Sequence, residues 1–339
     1  MSAAQSHFKH YFWLLETMKL SDFDYPLPEH LIAQEPLHER DRARLMVIHR
    51  KTKTIRHDVF QNLNRHLPAG STLVLNNSRV IPARLLGRKA RSGGRVEIFL
   101  LKKGKDPQTF ESLLRPMQKI KQGDSIEFEG TDLKAEIVDK ERRIVRFNKK
   151  DVLASLTDAG HIPLPPYIKR PDTIEDRTYY QTVYAKHSGS VAAPTAGLHF
   201  TKPLIQALKA EGHPVLEVML HVNYATFKPV EEEDITQHQM HQEQYSASPN
   251  VWNRLLAAQA DGKKIVTVGT TSCRTIETIV RTGNLKGTTD LYIYPGCHFQ
   301  MTDILITNFH LPRSSLLMLV YAFGGMELMK KAYREAVDQ

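Results

Sequence analysis

Apolar and polar positions divide this chain into two kinds of segment. The runs RLMVI (44–48) and STLVLN (71–76) are short, rich in β-branched or apolar residues and bounded by charged, Gly or Pro positions, which predicts strands. Between 76 and 150 the alternation recurs in pieces at 96–101, 125–128, 134–138 and 143–147. Turn signals separate these pieces at SGG (92–94), KDP (105–107), QGD (122–124) and EGT (129–131). Short strands at this spacing predict a small barrel or sandwich with no helix inside.

The period changes after 151. Strand candidates at 190–193, 215–221, 264–268 and 290–294 alternate with helical stretches at 203–211, 250–261 and 274–281, and further helices are expected at 316–320 and 327–337. Leu204, Ala207 and Leu208 share one face of the first helix. This alternation predicts an α/β architecture, a mostly parallel sheet covered by helices. GHIPLPPY (160–167) is too rich in proline for either element and reads as a linker. The expected organisation is an α/β main domain made of 18–75 and 152–339, an inserted basic β-barrel domain at 76–151, and an N-terminal extension at 1–17.

Length and composition agree with this division. With 339 residues the chain exceeds the usual size of a single core, and 41% hydrophobic with 24% charged residues excludes disordered and fibrous classes. No apolar run reaches membrane-spanning length, and YFWLL (11–15) runs directly into Glu16 with no small-residue cleavage site, so a cytoplasmic protein is expected. Cys273 and Cys297 stand in no metal or redox spacing.

The net charge of +9 is local. Between 76 and 150 there are 19 basic and 10 acidic residues, whereas the rest of the chain balances at 27 and 27. A confined basic surface suits a nucleic-acid partner, because neutralising phosphates gives sequence-independent affinity; a solvated lysine-rich face is the plainer reading.

Chemistry is concentrated at the ends of the α/β strands. KKIVTV (263–268) runs into Gly269, Thr270, Thr271 and Ser272, and a helix with Arg274 follows. A strand, a hydroxyl-rich turn and a helix N-terminus form an anion cradle for a phosphate or a carboxylate, unless Thr271 or Ser272 merely caps the helix. APTAGLHFT (193–201) has the same placement, with Thr201 as N-cap and Pro203 in the first turn. Its Thr195, Gly197 and His199 suit a substrate loop, a buried structural histidine being the alternative. His221 closes an apolar strand, which puts it at the carboxyl edge where α/β sheets bind ligands. His238 and His241 are spaced HxxH but suggest no third metal ligand and read as solvated surface. In TNFHLPRSS (307–315), Pro312 and the hydroxyls start a helix, leaving Asn308, His310 and Arg313 as ligand groups. Neither GxxxxGK[ST] nor a strand-borne GxGxxG is present.

Several long segments together carry a family resemblance: MKLSDFDYPLP (18–28), LIAQ (31–34), NNSRVIPAR (76–84), PLPPYI (163–168), AAPTAGLHFT (192–201), GTTSCRT (269–275) and TNFHLP (307–312). They stand in the expected order from Met18 to the end, and the chain resembles the S-adenosylmethionine:tRNA ribosyltransferase-isomerases of queuosine biosynthesis. The resemblance implies an α/β domain with an inserted β-barrel, no metal and no cofactor, S-adenosylmethionine being consumed as a cosubstrate. It implies transfer and isomerisation of the ribosyl group onto 7-aminomethyl-7-deazaguanine at the tRNA wobble position, giving epoxyqueuosine, adenine and methionine. The chemistry implied is proton removal beside the sulfonium, expulsion of adenine, and attack by the aminomethyl nitrogen.

On that resemblance His199, His221 and His310 are candidates for proton transfer, in undecided order. Thr195 and Gly197, with Gly269, Thr270, Thr271, Ser272 and Arg274, are expected to bind the cosubstrate. The barrel, through Arg79, Arg84, Arg88 and Lys89, is expected to grip the anticodon arm, whose unstacked bases are the readable part of an RNA. A monomer is expected. The chain also departs from the pattern: the family usually has Gly-Ala-Gly-Thr-Phe after His221, whereas this chain reads NYATF (223–227), so a loop with altered φ angles is expected. The family usually continues past 327–337 with an aromatic, Gly-Asp-containing tail, whereas this chain stops at Gln339; residues 1–17 precede the family start, with Met18 as the natural start codon. Those departures keep a noncatalytic tRNA-binding relative as the alternative, distinguished by whether S-adenosylmethionine binds.

Overall fold

The computed structural model describes residues 18–339, apart from the side chains of Ala225 and Phe227; the extension expected at 1–17 lies outside the described residues. The main sheet has six strands in the order Lys286–Thr289, Glu243–Ser246, Val215–Leu220, Thr72–Asn76, Ile265–Val268 and Ile304–Ile306. The last four are parallel, and the first two add an antiparallel edge. Thr72–Asn76 and Ile265–Val268 are buried at every position, as their mostly apolar sequence expects of strands covered on both faces.

Helices supply the cover. Leu204 and Leu208 of Lys202–Ala210 pack with Phe200, Leu73, Leu75 and Val268 on one side of the sheet. On the other side Leu255 of Pro249–Ala260 and Ile276 of Gly269–Thr282 pack with Leu216, Val218 and Val74. Their starts are encoded locally: Thr201, Ser248 and Ser314 each accept an N–H from the third residue on, at 3.2 Å.

The second body is a closed antiparallel barrel. Around it run Arg84–Lys89, Arg95–Lys103, Thr109–Arg115, Ile144–Phe147, Lys134–Asp139 and Ser125–Phe128, and the last pairs back with the first. Gly87 lies where the ring closes, opposite both Val96 and Phe128. A Cβ there would stand 2.7 Å from Ile126 Cγ2 and 2.8 Å from the Glu127 carbonyl oxygen, so the closure needs glycine. Ile98, Ile126, Ile137 and Val145 fill the interior, and Val152 and Leu156 of the helix Val152–Ala159 join that core. Ser78–Val80 pairs in parallel with His187–Ser190, tying the barrel's entry to the α/β part.

Three expected elements shift. The strand expected at 190–193 ends at Ser190, whose hydroxyl turns inward, donating to the Ala192 carbonyl (2.8 Å) and accepting from the Val222 N–H (2.9 Å). The strand expected at 290–294 is instead the polar edge strand Lys286–Thr289, while Ile293 leaves the ladder and packs on Cys273 and Leu319. The helix expected from 274 begins at Gly269, so the hydroxyl-rich turn is the helix's own first turn. Strands at Thr54–Val59 and Thr109–Arg115 lie outside the apolar pattern because Arg56, His57 and Asp58 interrupt the first, and the second runs through Glu111 and Ser112 with a register shift against Arg95–Lys103. Among the described residues no helix is long and apolar enough to cross a membrane.

Candidate active site at the carboxyl edge of the parallel sheet

The parallel strands end together at Asn76, Leu220, Val268 and Ile306, so Asn77, His221, Gly269 and Thr307 leave the same edge of the sheet. This is the edge at which open α/β sheets take ligands. Asn76 braces it, its side-chain amide donating to the Leu220 carbonyl and accepting from the Leu220 N–H, both at 3.0 Å.

Gly269 opens its helix with φ +86°, and a Cβ there would lie 3.9 Å from Ala196 Cβ, so the 3-10 turn Thr195–His199 rests against the helix N-terminus. Gly197 in that turn is forced: a Cβ would stand 2.0 Å from Tyr184 Oη and 2.9 Å from Thr182 Cγ2. The expected substrate loop and the expected anion cradle are therefore neighbours. Thr271 Oγ1, Ser272 Oγ, Arg274 Nη2 and His221 Nδ1 are buried and have no hydrogen-bond partner among the described residues. Buried polar atoms are seldom left unmatched, and a set of them at one sheet edge is what a bound polar ligand would satisfy.

The three histidines differ in their settings. His199 Nε2 lies 2.8 Å from Asn308 Oδ1, and its ring packs on Phe60 with centroids 5.3 Å apart. Burial holds its pKa below the ordinary value, with Asn308 pulling the other way. His221 packs on Gly189, where a Cβ would come within 2.9 Å of Cε1 and Nε2, and burial followed by the nearby His187 lowers its pKa. His310 is pinned: Nε2 lies 2.9 Å from Thr307 Oγ1, its N–H donates to Tyr333 Oη (3.2 Å), and its carbonyl accepts from Tyr25 Oη (2.6 Å). Burial pushes its imidazole down to about 4. All three depressed values favour neutral imidazoles at pH 7.

Arg274 is more committed than the sequence suggests. It is buried, its Nη1 is ion-paired with Glu243, and its Nε donates to the Leu291 carbonyl (3.0 Å), which leaves Nη2 for a ligand. Glu243 also accepts from the Asn223 N–H (2.9 Å) and Thr226 Oγ1 (3.0 Å), fixing the segment that follows His221. A cleft of about 210 Å³ opens beside this network, lined by Asn223, Thr226, Glu232, His238, His241 and Glu243 among others. The HxxH pair divides: His241 is exposed, as its reading as solvated surface expects, whereas His238 is half-buried, with Nδ1 2.9 Å from Glu232 Oε2 and its ring on Tyr292. Sequence reasoning passed over Glu243 as a partner of Arg274; its only signal was a carboxylate within an otherwise uncharged strand, Glu243–Ser246.

On the barrel side the four basic candidates divide. Arg79 is exposed and makes no ion pair among the described residues, and Arg88 is exposed and donates to the Gly93 carbonyl (3.3 Å). Arg84 pairs with Glu97 at 3.2 Å, and Lys89 with Asp124 at 2.7 Å. Two of the four charges are therefore already matched within the protein.

Comparison with known proteins matches this arrangement. The family described as "Queuosine biosynthesis protein" matches residues 20–339. The S-adenosylmethionine:tRNA ribosyltransferase-isomerase of Sulfurihydrogenibium sp. (strain YO3AOP1) is 46% identical over 324 residues, covering 95% of this chain and 96% of that protein. The protein of the same name from Carboxydothermus hydrogenoformans is 48% identical, covering 94% and 95%. The crystal structure of S-adenosylmethionine tRNA ribosyltransferase from Thermotoga maritima matches with a TM-score of 0.53 at 38% identity, covering 94% of each chain. With the α/β sheet, the barrel and the resembling segments all accounted for, the chain belongs to the queuosine biosynthesis family of S-adenosylmethionine:tRNA ribosyltransferase-isomerases.

Proposed function

We propose that this chain transfers and isomerises the ribosyl group of S-adenosylmethionine onto 7-aminomethyl-7-deazaguanine at the tRNA wobble position, giving epoxyqueuosine-tRNA with release of adenine and methionine. The observation that carries this reading is similarity to relatives of that name over about 95% of the chain at 46% identity. S-adenosylmethionine is a consumed cosubstrate, and no further cofactor takes part. The protein acts in the cytoplasm, as a monomer.

The residues at the sheet edge divide the chemistry as follows. His221 is the base that takes the proton beside the sulfonium: burial keeps its imidazole neutral and Nδ1 has no protein partner among the described residues. His199, oriented by Asn308 and neutral at rest, receives the proton that His221 has removed and passes it to departing adenine, so both imidazoles end the step neutral. His310 is a positioning residue, its pinned main chain setting the Thr307–Asn308 bend. The helix N-terminus at Gly269, Thr270, Thr271 and Ser272, with Arg274 Nη2, takes the methionine carboxylate, since unpaired N–H groups and a cation both favour an anion. Thr195 and Gly197 form the adjoining wall. The aminomethyl nitrogen then bonds to the rearranged ribosyl carbon and loses a proton to solvent, and the carbon–sulfur bond breaks with its electron pair going to sulfur, releasing methionine.

The inserted barrel, expected at 76–151, carries the anticodon arm, with Arg79 and Arg88 as free phosphate contacts and Arg84 and Lys89 as paired ones. S-adenosylmethionine labelled in the ribose, and separately in the methyl group, tests the reaction. Ribose label entering modified tRNA without methyl label supports ribosyl transfer; methyl label entering tRNA refutes it.

A further inference from the structure

The loop after His221 is gripped by both parts of the fold. Its one short turn, Tyr224–Phe227, contains no glycine, and Asn223, Tyr224 and Thr226 are not among the residues with positive φ. The α/β part grips it twice through Glu243, at the Asn223 N–H and at Thr226 Oγ1, and Glu243 is in turn fixed by Arg274. The third hold comes from the barrel: the Tyr224 ring lies on Phe99 with centroids 4.8 Å apart and planes tilted 59°, packed against the barrel core. Phe99 is itself buried in the strand Arg95–Lys103, opposite Arg84. Because Asn223 and Thr226 also line the cleft, the shape of the cleft depends on both bodies at once.

We propose that Tyr224 is a positioning residue for the ribosyl-transfer reaction: by docking on Phe99 it joins the barrel to the 223–227 loop and sets the cleft beside His221 in its reactive shape. This rests on the function proposed above. A tilted aromatic pair adds stabilisation beyond the area it buries, and here that stabilisation ties the turn to the barrel. Misplacement of a reacting group by about 1 Å costs a reaction on the order of a hundredfold, so freeing this loop is a kinetic lesion before it is a stability lesion.

The test compares Tyr224→Ala, Tyr224→Phe and Phe99→Leu in steady-state adenine release, together with amide hydrogen exchange over 222–228. Tyr224→Ala is expected to lower kcat about tenfold or more, to leave the KM for modified tRNA within about threefold, and to speed exchange in the loop. Tyr224→Phe, which keeps the ring, is expected to restore both. Adding Phe99→Leu to Tyr224→Ala is expected to cost little more than Tyr224→Ala alone, because both remove one contact. An unchanged kcat in Tyr224→Ala, or a rise in tRNA KM with kcat intact, overturns the proposal; the second result would make Tyr224 an RNA contact. If the wild-type chain releases no adenine, the functional reading fails by itself. Exchange still decides the latch in that case, and protection in Tyr224→Ala equal to wild type overturns it.

Discussion

Asn308 and His199 are 109 residues apart in sequence, yet Oδ1 of one lies 2.8 Å from Nε2 of the other. The contact joins the end of the last parallel strand to the turn that rests on the Gly269 helix, and so couples two segments that no local pattern connects. His199→Ala is expected to lower adenine release by about a hundredfold or more, the usual weight of a positioned proton-transfer group. Asn308→Ala, which leaves the imidazole but frees its orientation, is expected to cost less. Equal turnover of wild type and His199→Ala would remove His199 from the chemistry.

The depressed pKa values set a direction for the pH profile. His221 serves as a base only when neutral, and burial favours that form below the ordinary 6.5. The acid limb of kcat/KM is therefore expected below pH 6.5, with activity lost as pH falls through the lowered value. An acid limb clearly above 6.5 would contradict the assignment of a buried neutral imidazole.

His310 makes the same point for stability. Its folded value is about 4 against 6.5 for the free group, so the unfolded chain binds the extra proton first as pH falls. The stability it confers is complete above pH 6.5 and is lost between 6.5 and about 4. The loss is at most about 3 kcal/mol by linkage. Urea denaturation at pH 7 and pH 4.5 is expected to show a smaller difference for His310→Gln than for wild type; the same difference in both would contradict this account.

Glu277 is an anchor, buried within the helix Gly269–Thr282. Its carboxylate accepts the N–H groups of Gln300, Met301 and Thr302 at 2.9–3.2 Å and pairs with Arg281. Glu277→Ala strands those donors and is expected to cost about 3 kcal/mol or more in chemical denaturation. A cost below about 1 kcal/mol would mean that water replaces the carboxylate.

The basic barrel gives an electrostatic contrast. Arg79→Ala is expected to weaken tRNA binding and flatten the salt slope by about one, whereas Lys89→Ala, whose charge Asp124 already matches, is expected to change the slope little. Identical slopes for Arg79→Ala and wild type would move the tRNA surface away from the barrel entry.

Much of this architecture was legible before the structure. The runs at 71–76 and 264–268 are mostly apolar because both faces are covered, and the caps Thr201 and Ser314 stand where the sequence suggests. Edge elements were less legible. Lys286–Thr289 needs only backbone groups from one neighbour, so KGTT carries no apolar signature, while the apolar Ile293 serves a core contact instead. The histidines could be placed at strand ends, but their partners could not. Asn308, Glu243 and Gly189 reach the site from other strands and loops, and long-range pairing leaves no local period to read.

Adenine release from S-adenosylmethionine by the purified chain tests the central claim most directly, measured with tRNA bearing 7-aminomethyl-7-deazaguanine and with the same tRNA bearing guanine. Release only with the modified tRNA is the expected result. No release with either, from a folded chain that binds tRNA, would contradict the ribosyl-transfer reading and leave a tRNA-binding relative without the chemistry.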